Sequence, residues 1–167
     1  MLFAGLGLAF LVLFLHGLTG PDFQHPVTVS DWFATLGFSA VLFGLAAALL
    51  MFGRMFGDSR IRRVSFVPGI GAALGGASNI LEDGLQLEWA FWAFVLSAGL
   101  TVLGLAALTI AIVVLARGGD RLLAAVPAAT LVGQLVFPVG GGLLVAAAWI
   151  GYAWVQRRTR LRTRATT

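Results

Sequence analysis

The chain has 167 residues, 59% of them hydrophobic and only 11% charged, and its mean hydropathy is +0.96. A soluble domain carries about 25% charged residues, so this composition excludes an ordinary soluble domain and predicts an integral membrane protein. The absence of cysteine excludes disulfide bonds, thiolate catalysis and zinc–sulfur sites. All eleven basic residues are arginine, and because they lie between apolar runs, we interpret the net charge of +4 as a topology signal and predict no nucleic-acid partner.

The first apolar run, residues 2–19, ends at Gly20 and Pro21. No basic residue precedes this run and no small-x-small cleavage site follows it, so we interpret it as a helix rather than a signal peptide. A short polar loop leads to the second run, residues 32–53. The basic loop that follows contains one aspartate among four arginines: Arg54, Asp58, Arg60, Arg62 and Arg63.

The central part of the chain contains the most unusual apolar run. Residues 64–81 are rich in glycine and lead directly into an acidic turn at residues 82–88. The fourth run, residues 89–116, is long enough to require tilt in a bilayer. We therefore predict a third and a fourth membrane span on either side of an acidic turn.

The last apolar stretch, residues 122–155, exceeds the roughly 20 residues that one crossing uses. The sequence FPVGGG at residues 137–142 is a strong helix breaker in its middle. We therefore predict two short crossings, at residues 122–137 and 140–156. A re-entrant segment at residues 122–142 remains an alternative with the same sidedness.

The distribution of charge predicts the orientation of these spans. With both termini in the cytoplasm, the inner loops hold every arginine, together with Asp58 and Asp120. The outer loops then hold no arginine and carry the other acidic residues: Asp22, Asp31, Glu82, Asp83 and Glu88. Short loops rich in arginine stay in the cytoplasm, so the sequence predicts an all-α polytopic membrane bundle of six transmembrane helices in three hairpins. The absence of lysine and the Ala/Gly/Leu/Val/Arg bias favour a bacterial plasma membrane.

Residues 157–167 are predicted to form a mobile basic tail in the cytoplasm. Its arginines are typical of a topology signal, and they also favour anionic lipid at about 1 kcal/mol per arginine near the surface. These arginines are Arg157, Arg158, Arg160, Arg162 and Arg164. A homo-oligomer or another membrane protein remains a further possible partner beside the lipid bilayer itself.

A helical wheel of the third span separates large aliphatic residues from small and polar ones. Small residues let helices approach closely in a membrane, so this face predicts a central position for the helix in the bundle. The small residues that we expect to pack against other helices are Gly71, Ala72, Gly75 and Gly76. The polar residues Asn79, Glu82 and Asp83 fall on the same face, so we expect them to point toward protein rather than lipid.

Polar groups from several spans lie at one predicted depth. His16, Asn79 and Gln134 each lie about 20 Å from the inner surface at 1.5 Å per residue, and Ser39 and Ser97 lie at a similar height. Polar groups inside a membrane are costly and tend to mark function, so the pattern predicts an outward-facing pocket with an acidic mouth. Its predicted ligand-binding residues are Asn79, Glu82, Asp83, His16 and Gln134.

Structural interpretations of these residues remain open. The acidic turn is equally typical of an exposed loop, and buried amides and hydroxyls often tie helices together at about 0.6 kcal/mol each. Because His16 and His25 are the only histidines, a haem or a three-histidine metal site is disfavoured, and a carboxylate-plus-His16 metal site is a minor alternative. We predict neither a metal nor a cofactor, since no catalytic or cofactor motif is present.

Three functions are compatible with the sequence. We favour a membrane protein that binds or transports a small cation or an amphipathic molecule through the outer pocket. The alternative is a non-catalytic accessory subunit that packs its glycine-rich third helix against a partner. The third is a lipid-modifying enzyme in which Glu82 or Asp83 acts with His16 as acid and base.

Overall fold

The computed structural model describes residues 1–22, 24–137 and 140–165, with side chains described as far as residue 158. This part of the chain is helical and contains no strand, as the sequence predicts. Its six α-helices are α1 (Leu2–Gly17), α2 (Val29–Arg54), α3 (Ser59–Asn79), α4 (Ala90–Leu115), α5 (Ala125–Leu135) and α6 (Gly141–Ala165). A π-helical turn, Ile80–Gly84, continues α3, and a 3-10 turn, Gly118–Ala124, leads into α5.

Three helical segments are long and apolar enough to cross a membrane: Val29–Arg54, Ser59–Gly84 and Ala90–Leu115. Helix α1 is also apolar but shorter. The outer face of α4 is strongly apolar, since Leu96 is 73% exposed and Leu103 is 71% exposed. Large exposed apolar surface of this kind is compatible with contact with lipid, so the structure is compatible with a membrane protein.

Local capping explains why α2 and α3 begin earlier than the apolar runs from which they were predicted. Thr28 and Asp31 form a capping box at the start of α2, in which each side chain accepts a hydrogen bond from the other residue's backbone N–H. Asp58 caps α3 by accepting a hydrogen bond from the backbone N–H of Arg60 at 2.7 Å. Because such caps satisfy N–H groups that a helix start leaves free, both helices extend into polar sequence.

The region predicted as two short crossings forms α5 and α6. Helix α5 has only 11 residues, about 16 Å at 1.5 Å per residue, because the residues before it adopt the 3-10 turn. Gly133 lies tightly against α6, since a Cβ atom there would be 2.7 Å from the carbonyl oxygen of Gly141. Helix α6 continues to Ala165, so the backbone of the predicted tail is helical to that residue. Residues 138–139 of the predicted breaker and residues 166–167 of the tail lie outside the described residues.

The helices form a ring in chain order. Each helix packs against its neighbours in the sequence, and α6 returns to pack against α1. Short connections make successive helices antiparallel, so the ring has two distinct ends. We name the end that holds Asp31, Glu82 and Asp83 the acidic end. The opposite end, which holds residues 55–58 and 116–121, is the arginine end.

An aromatic cluster packs between α1, α2 and α6 toward the arginine end, and we name Phe3, Phe52, Trp149 and Tyr152 the aromatic plug. Phe3 stacks on Trp149 with 5.6 Å between ring centroids, and Phe52 lies edge-on to Tyr152 at 5.1 Å. Trp149 is fully buried. Tyr152 donates a hydrogen bond to the sulfur of Met55 at 2.7 Å, which ties α6 to the end of α2. Two cavities, by contrast, lie inside the ring toward the acidic end.

Glycines allow α3 to fit closely between α2 and α4. A Cβ atom at Gly71 would lie 2.6 Å from Thr101 Oγ1 and 2.7 Å from the Thr101 backbone nitrogen, both on α4. On the other side, a Cβ atom at Gly76 would lie 3.0 Å from the Ser39 carbonyl oxygen on α2. The four predicted packing residues are all buried: Gly71, Ala72, Gly75 and Gly76. Helices of the same chain therefore occupy the glycine-rich face.

Candidate ligand-binding site

A cavity of 490 Å³, which we name the acidic chamber, lies inside the ring at the acidic end. Helices α1 to α4 and the π turn contribute to its wall, and so does Gln24 of the α1–α2 loop. Its polar wall consists of Gln24, Asn79, Glu82 and Asp83. Its apolar wall includes five phenylalanines: Phe14, Phe38, Phe91, Phe94 and Phe137. Small-molecule sites have volumes of about 300–1,000 Å³, so the chamber has the size of a site for an organic molecule.

A second cavity of 390 Å³, which we name the apolar chamber, lies next to the first, farther along α3 and α4. Phe38, Phe94 and Phe137 line both cavities, so these three rings separate them, and we name them the aromatic partition. The ring centroid of Phe38 lies 6.4 Å from that of Phe94 and 6.0 Å from that of Phe137. The partition is therefore built of side chains from three parts of the chain.

Asn79 is held at the wall of the acidic chamber by α2. Its side chain is 4% exposed, and its amide nitrogen donates hydrogen bonds to the Thr35 carbonyl oxygen at 3.1 Å and to Ser39 Oγ at 3.0 Å. Both N–H groups of the amide are therefore used inside the bundle, and the amide oxygen is the atom that remains for a ligand. Asn79 and Ser39, which the sequence predicts at a similar height, are in contact.

Glu82 and Asp83 lie one turn beyond Asn79, in the π turn, and both are half-buried. The wider turn is closed by a hydrogen bond from the Leu85 backbone nitrogen to the Ile80 carbonyl oxygen at 2.9 Å, and such turns are frequent at functional sites. Among the residues that the structure describes, no arginine pairs with either carboxylate. Unpaired carboxylates at a partly enclosed site attract a cation, because little water is present to screen them.

Two sets of hydrogen bonds hold the α1–α2 loop beside the chamber. The Asp31 carboxylate accepts hydrogen bonds from the backbone N–H groups of Asp22 at 2.9 Å and Thr28 at 2.8 Å. Gln86 donates from its side chain to the Gln24 carbonyl oxygen at 2.7 Å. The backbone φ of Gln86 is 56°, in the left-handed region, which is unusual for a residue other than glycine. The sequence pattern Thr28-x-x-Asp31 signals the capping box, whereas no local pattern reveals the role of Gln86.

The five predicted ligand-binding residues do not form one site. Asn79, Glu82 and Asp83 share the wall of the acidic chamber, but Gln134 lines the apolar chamber. His16 lines neither of these cavities. The Nε2 atom of His16 instead lies 3.0 Å from the Ser30 carbonyl oxygen. Its ring packs edge-on against the ring of Phe33, with 4.8 Å between the centroids. A histidine–carboxylate pair for acid–base chemistry is therefore not assembled at the acidic chamber.

The structure also describes the surroundings of the candidate metal ligands and of part of the basic tail. Within the described ranges, no cluster of three or more histidine, aspartate and glutamate residues is arranged to hold a metal ion. In the basic tail, the guanidinium of Arg158 lies 3.5 Å from the centre of the Trp154 ring. The side chains of Arg160, Arg162 and Arg164 lie outside the described residues, whereas Arg157 is exposed.

No protein-family model, no curated protein and no solved structure matches this chain. The acidic chamber combines two carboxylates, an amide oxygen and several aromatic rings in a space of 490 Å³. This combination can bind a positively charged organic group, with carboxylates supplying charge and aromatic faces supplying cation–π contacts.

Proposed function

We propose that the chain is a multi-pass membrane protein that binds an organic cation in the acidic chamber, from the side opposite the arginine end. One observation carries the proposal: two half-buried carboxylates without an arginine partner in the described chain face a cavity lined by five phenylalanines. Recognition of quaternary ammonium groups by aromatic residues is a well-established use of cation–π contacts.

An inorganic cation fits the same site less well. Calcium takes six to eight oxygen ligands, and magnesium demands nearly ideal octahedral geometry. The polar wall of the acidic chamber offers the side chains of four residues, whereas phenylalanine and leucine supply most of the remainder. The site therefore favours a large, weakly hydrated cation over a small, strongly hydrated one.

The proposal includes the orientation of the protein. We infer that the ring crosses the membrane six times, the fifth time through the 3-10 turn and α5 together, with the arginine end and both termini in the cytoplasm of a bacterial cell. Support comes from the positions of Arg54 and Arg60, which flank the α2–α3 connection, and of Arg117 and Arg121 after α4, because arginine-rich segments tend to stay inside. The acidic chamber then opens away from the cytoplasm.

Single-cysteine labelling tests this orientation, and the chain is suited to it because it has no cysteine of its own. A membrane-impermeant maleimide should label Val27→Cys and Leu85→Cys in intact cells. Gly57→Cys and Gly119→Cys, at the arginine end, should be labelled only after permeabilisation. Labelling of both pairs from the same side would overturn the six-crossing arrangement.

Binding is tested with the purified protein in nanodiscs of zwitterionic lipid, using tetramethylammonium as the probe and calorimetry as the readout. We expect Glu82→Gln and Asp83→Asn each to weaken binding about tenfold, which corresponds to roughly 1.4 kcal/mol. Glu88→Gln is the matched control, because it removes a carboxylate from the acidic end that does not line the chamber. Equal affinity in all four proteins would refute the proposal.

The structure offers less support for the other two functions. A partner helix would need the glycine-rich face, but α2 and α4 already contact it. An acid–base enzyme would need His16 beside the carboxylates, but His16 contacts Ser30 and Phe33 instead. Binding of anionic lipid by the tail remains a proposal for which the exposed Arg157 is the described support.

A further inference from the structure

We propose that the apolar chamber is a second subsite, which takes the alkyl chain of a single-chain amphipathic cation whose charged group lies in the acidic chamber. This inference rests on the proposed function, because it adds the class of ligand to the same site. The charged group would lie beside Glu82 and Asp83. The chain would pass the aromatic partition, Phe38, Phe94 and Phe137, and end beside α3 and α4.

The position of the apolar chamber supports this continuity. The two chambers share three wall residues, so a molecule that displaces one ring of the partition reaches both. Gly75 and Gly71 line the apolar chamber, and they lie about 10 Å and 16 Å from Glu82 along the helix axis, at 1.5 Å per residue. An extended alkyl chain attached to a group at Glu82 runs parallel to α3 over this distance.

The chemistry of the apolar chamber matches an alkyl chain. Two hydroxyl groups in its wall are already used by the backbone of α4, since Ser97 Oγ donates to the Phe94 carbonyl oxygen at 2.7 Å and Thr101 Oγ1 donates to the Ser97 carbonyl oxygen at 2.8 Å. Gly71 and Gly75 contribute no polar side chain to the wall. Burial of each methylene group there favours binding, because apolar surface leaves water.

The test uses alkyltrimethylammonium ions of increasing chain length, from methyl through butyl and octyl to dodecyl. Binding is measured in the same zwitterionic nanodiscs, with empty nanodiscs as the correction for partitioning into lipid. We expect the Kd of the protein to fall by up to about fourfold for each added methylene, until the chamber is full. The affinity should then stop rising.

A larger side chain at the wall of the apolar chamber separates this subsite from the charged one. Ala98 lines the apolar chamber but not the acidic one, so Ala98→Leu should weaken octyltrimethylammonium binding at least tenfold and leave tetramethylammonium binding unchanged. Ala40→Leu is the matched control, because Ala40 is exposed on α2 and lines neither chamber. It should bind every probe as the unmodified protein does.

The possible results distinguish the two proposals. If tetramethylammonium binds but the Kd does not change with chain length, the alkyl subsite is refuted and the organic-cation site stands. The same conclusion follows if Ala98→Leu and Ala40→Leu bind octyltrimethylammonium equally well. If tetramethylammonium does not bind at all, the proposed function fails, and the alkyl subsite fails with it.

Discussion

Replacing Gly71 with alanine tests whether the glycine-rich face packs inside this bundle or is available to a helix of a partner protein. The added Cβ atom would lie 2.6 Å from Thr101 Oγ1 and 2.7 Å from the Thr101 backbone nitrogen. Favourable contacts between non-bonded carbon atoms have separations of about 3.5–4.0 Å, so α3 and α4 must separate by nearly 1 Å. The backbone nitrogen cannot rotate away, and the strain therefore reaches the whole interface. Overpacking of this kind costs about 1–3 kcal/mol.

The matched control is Gly99→Ala on α4, where a Cβ atom would meet nothing within 4 Å. We expect Gly99→Ala to be neutral or slightly stabilising, because alanine is the better helix former. The assay is the reversible unfolding free energy of the monomer in micelles, with size-exclusion chromatography to confirm the oligomeric state. If Gly71→Ala is as stable as Gly99→Ala, the two backbones are not in contact, and the glycine face becomes available to a partner helix.

The same unfolding assay checks three other features. Asn79→Leu removes two hydrogen bonds to α2, at 3.1 Å and 3.0 Å, and we expect it to cost about 1–2 kcal/mol; no loss would mean that the amide does not tie α2 to α3. Asp31→Asn weakens the capping box and should lower the free energy of unfolding by about 1 kcal/mol. It should also raise amide hydrogen exchange at residues 22–28, and unchanged exchange would contradict the role of Asp31 in holding the loop. Trp149→Ala removes a fully buried ring of the aromatic plug and should cost about 3–5 kcal/mol, so a loss below 1 kcal/mol would show that the plug is loosely packed.

The arrangement of the plug and the chambers bears on whether the protein transports or only binds. The aromatic plug packs α1, α2 and α6 together toward the arginine end, whereas both chambers lie toward the acidic end. The proposed binding from the acidic end leaves the contacts of the aromatic plug in place.

The sequence by itself determined the features that depend on composition, local pattern and charge. Apolar runs separated by turn residues predict six helices, and the described chain contains six. The wheel of the third span predicts that Asn79, Glu82 and Asp83 share a face, and all three line the acidic chamber. These features follow from helical periodicity, which can be read within a single stretch of sequence.

Only the tertiary structure decided which polar groups share a cavity. His16 and Gln134 were predicted beside Asn79 because they lie at a similar depth, but depth does not specify the direction in which a side chain points around a helix. His16 lies against the start of α2, and Gln134 lies behind the aromatic partition. Asn79 and Ser39 are 40 residues apart in the chain and yet in contact. Such contacts depend on the rotation and spacing of whole helices, which the packing of all six sets together.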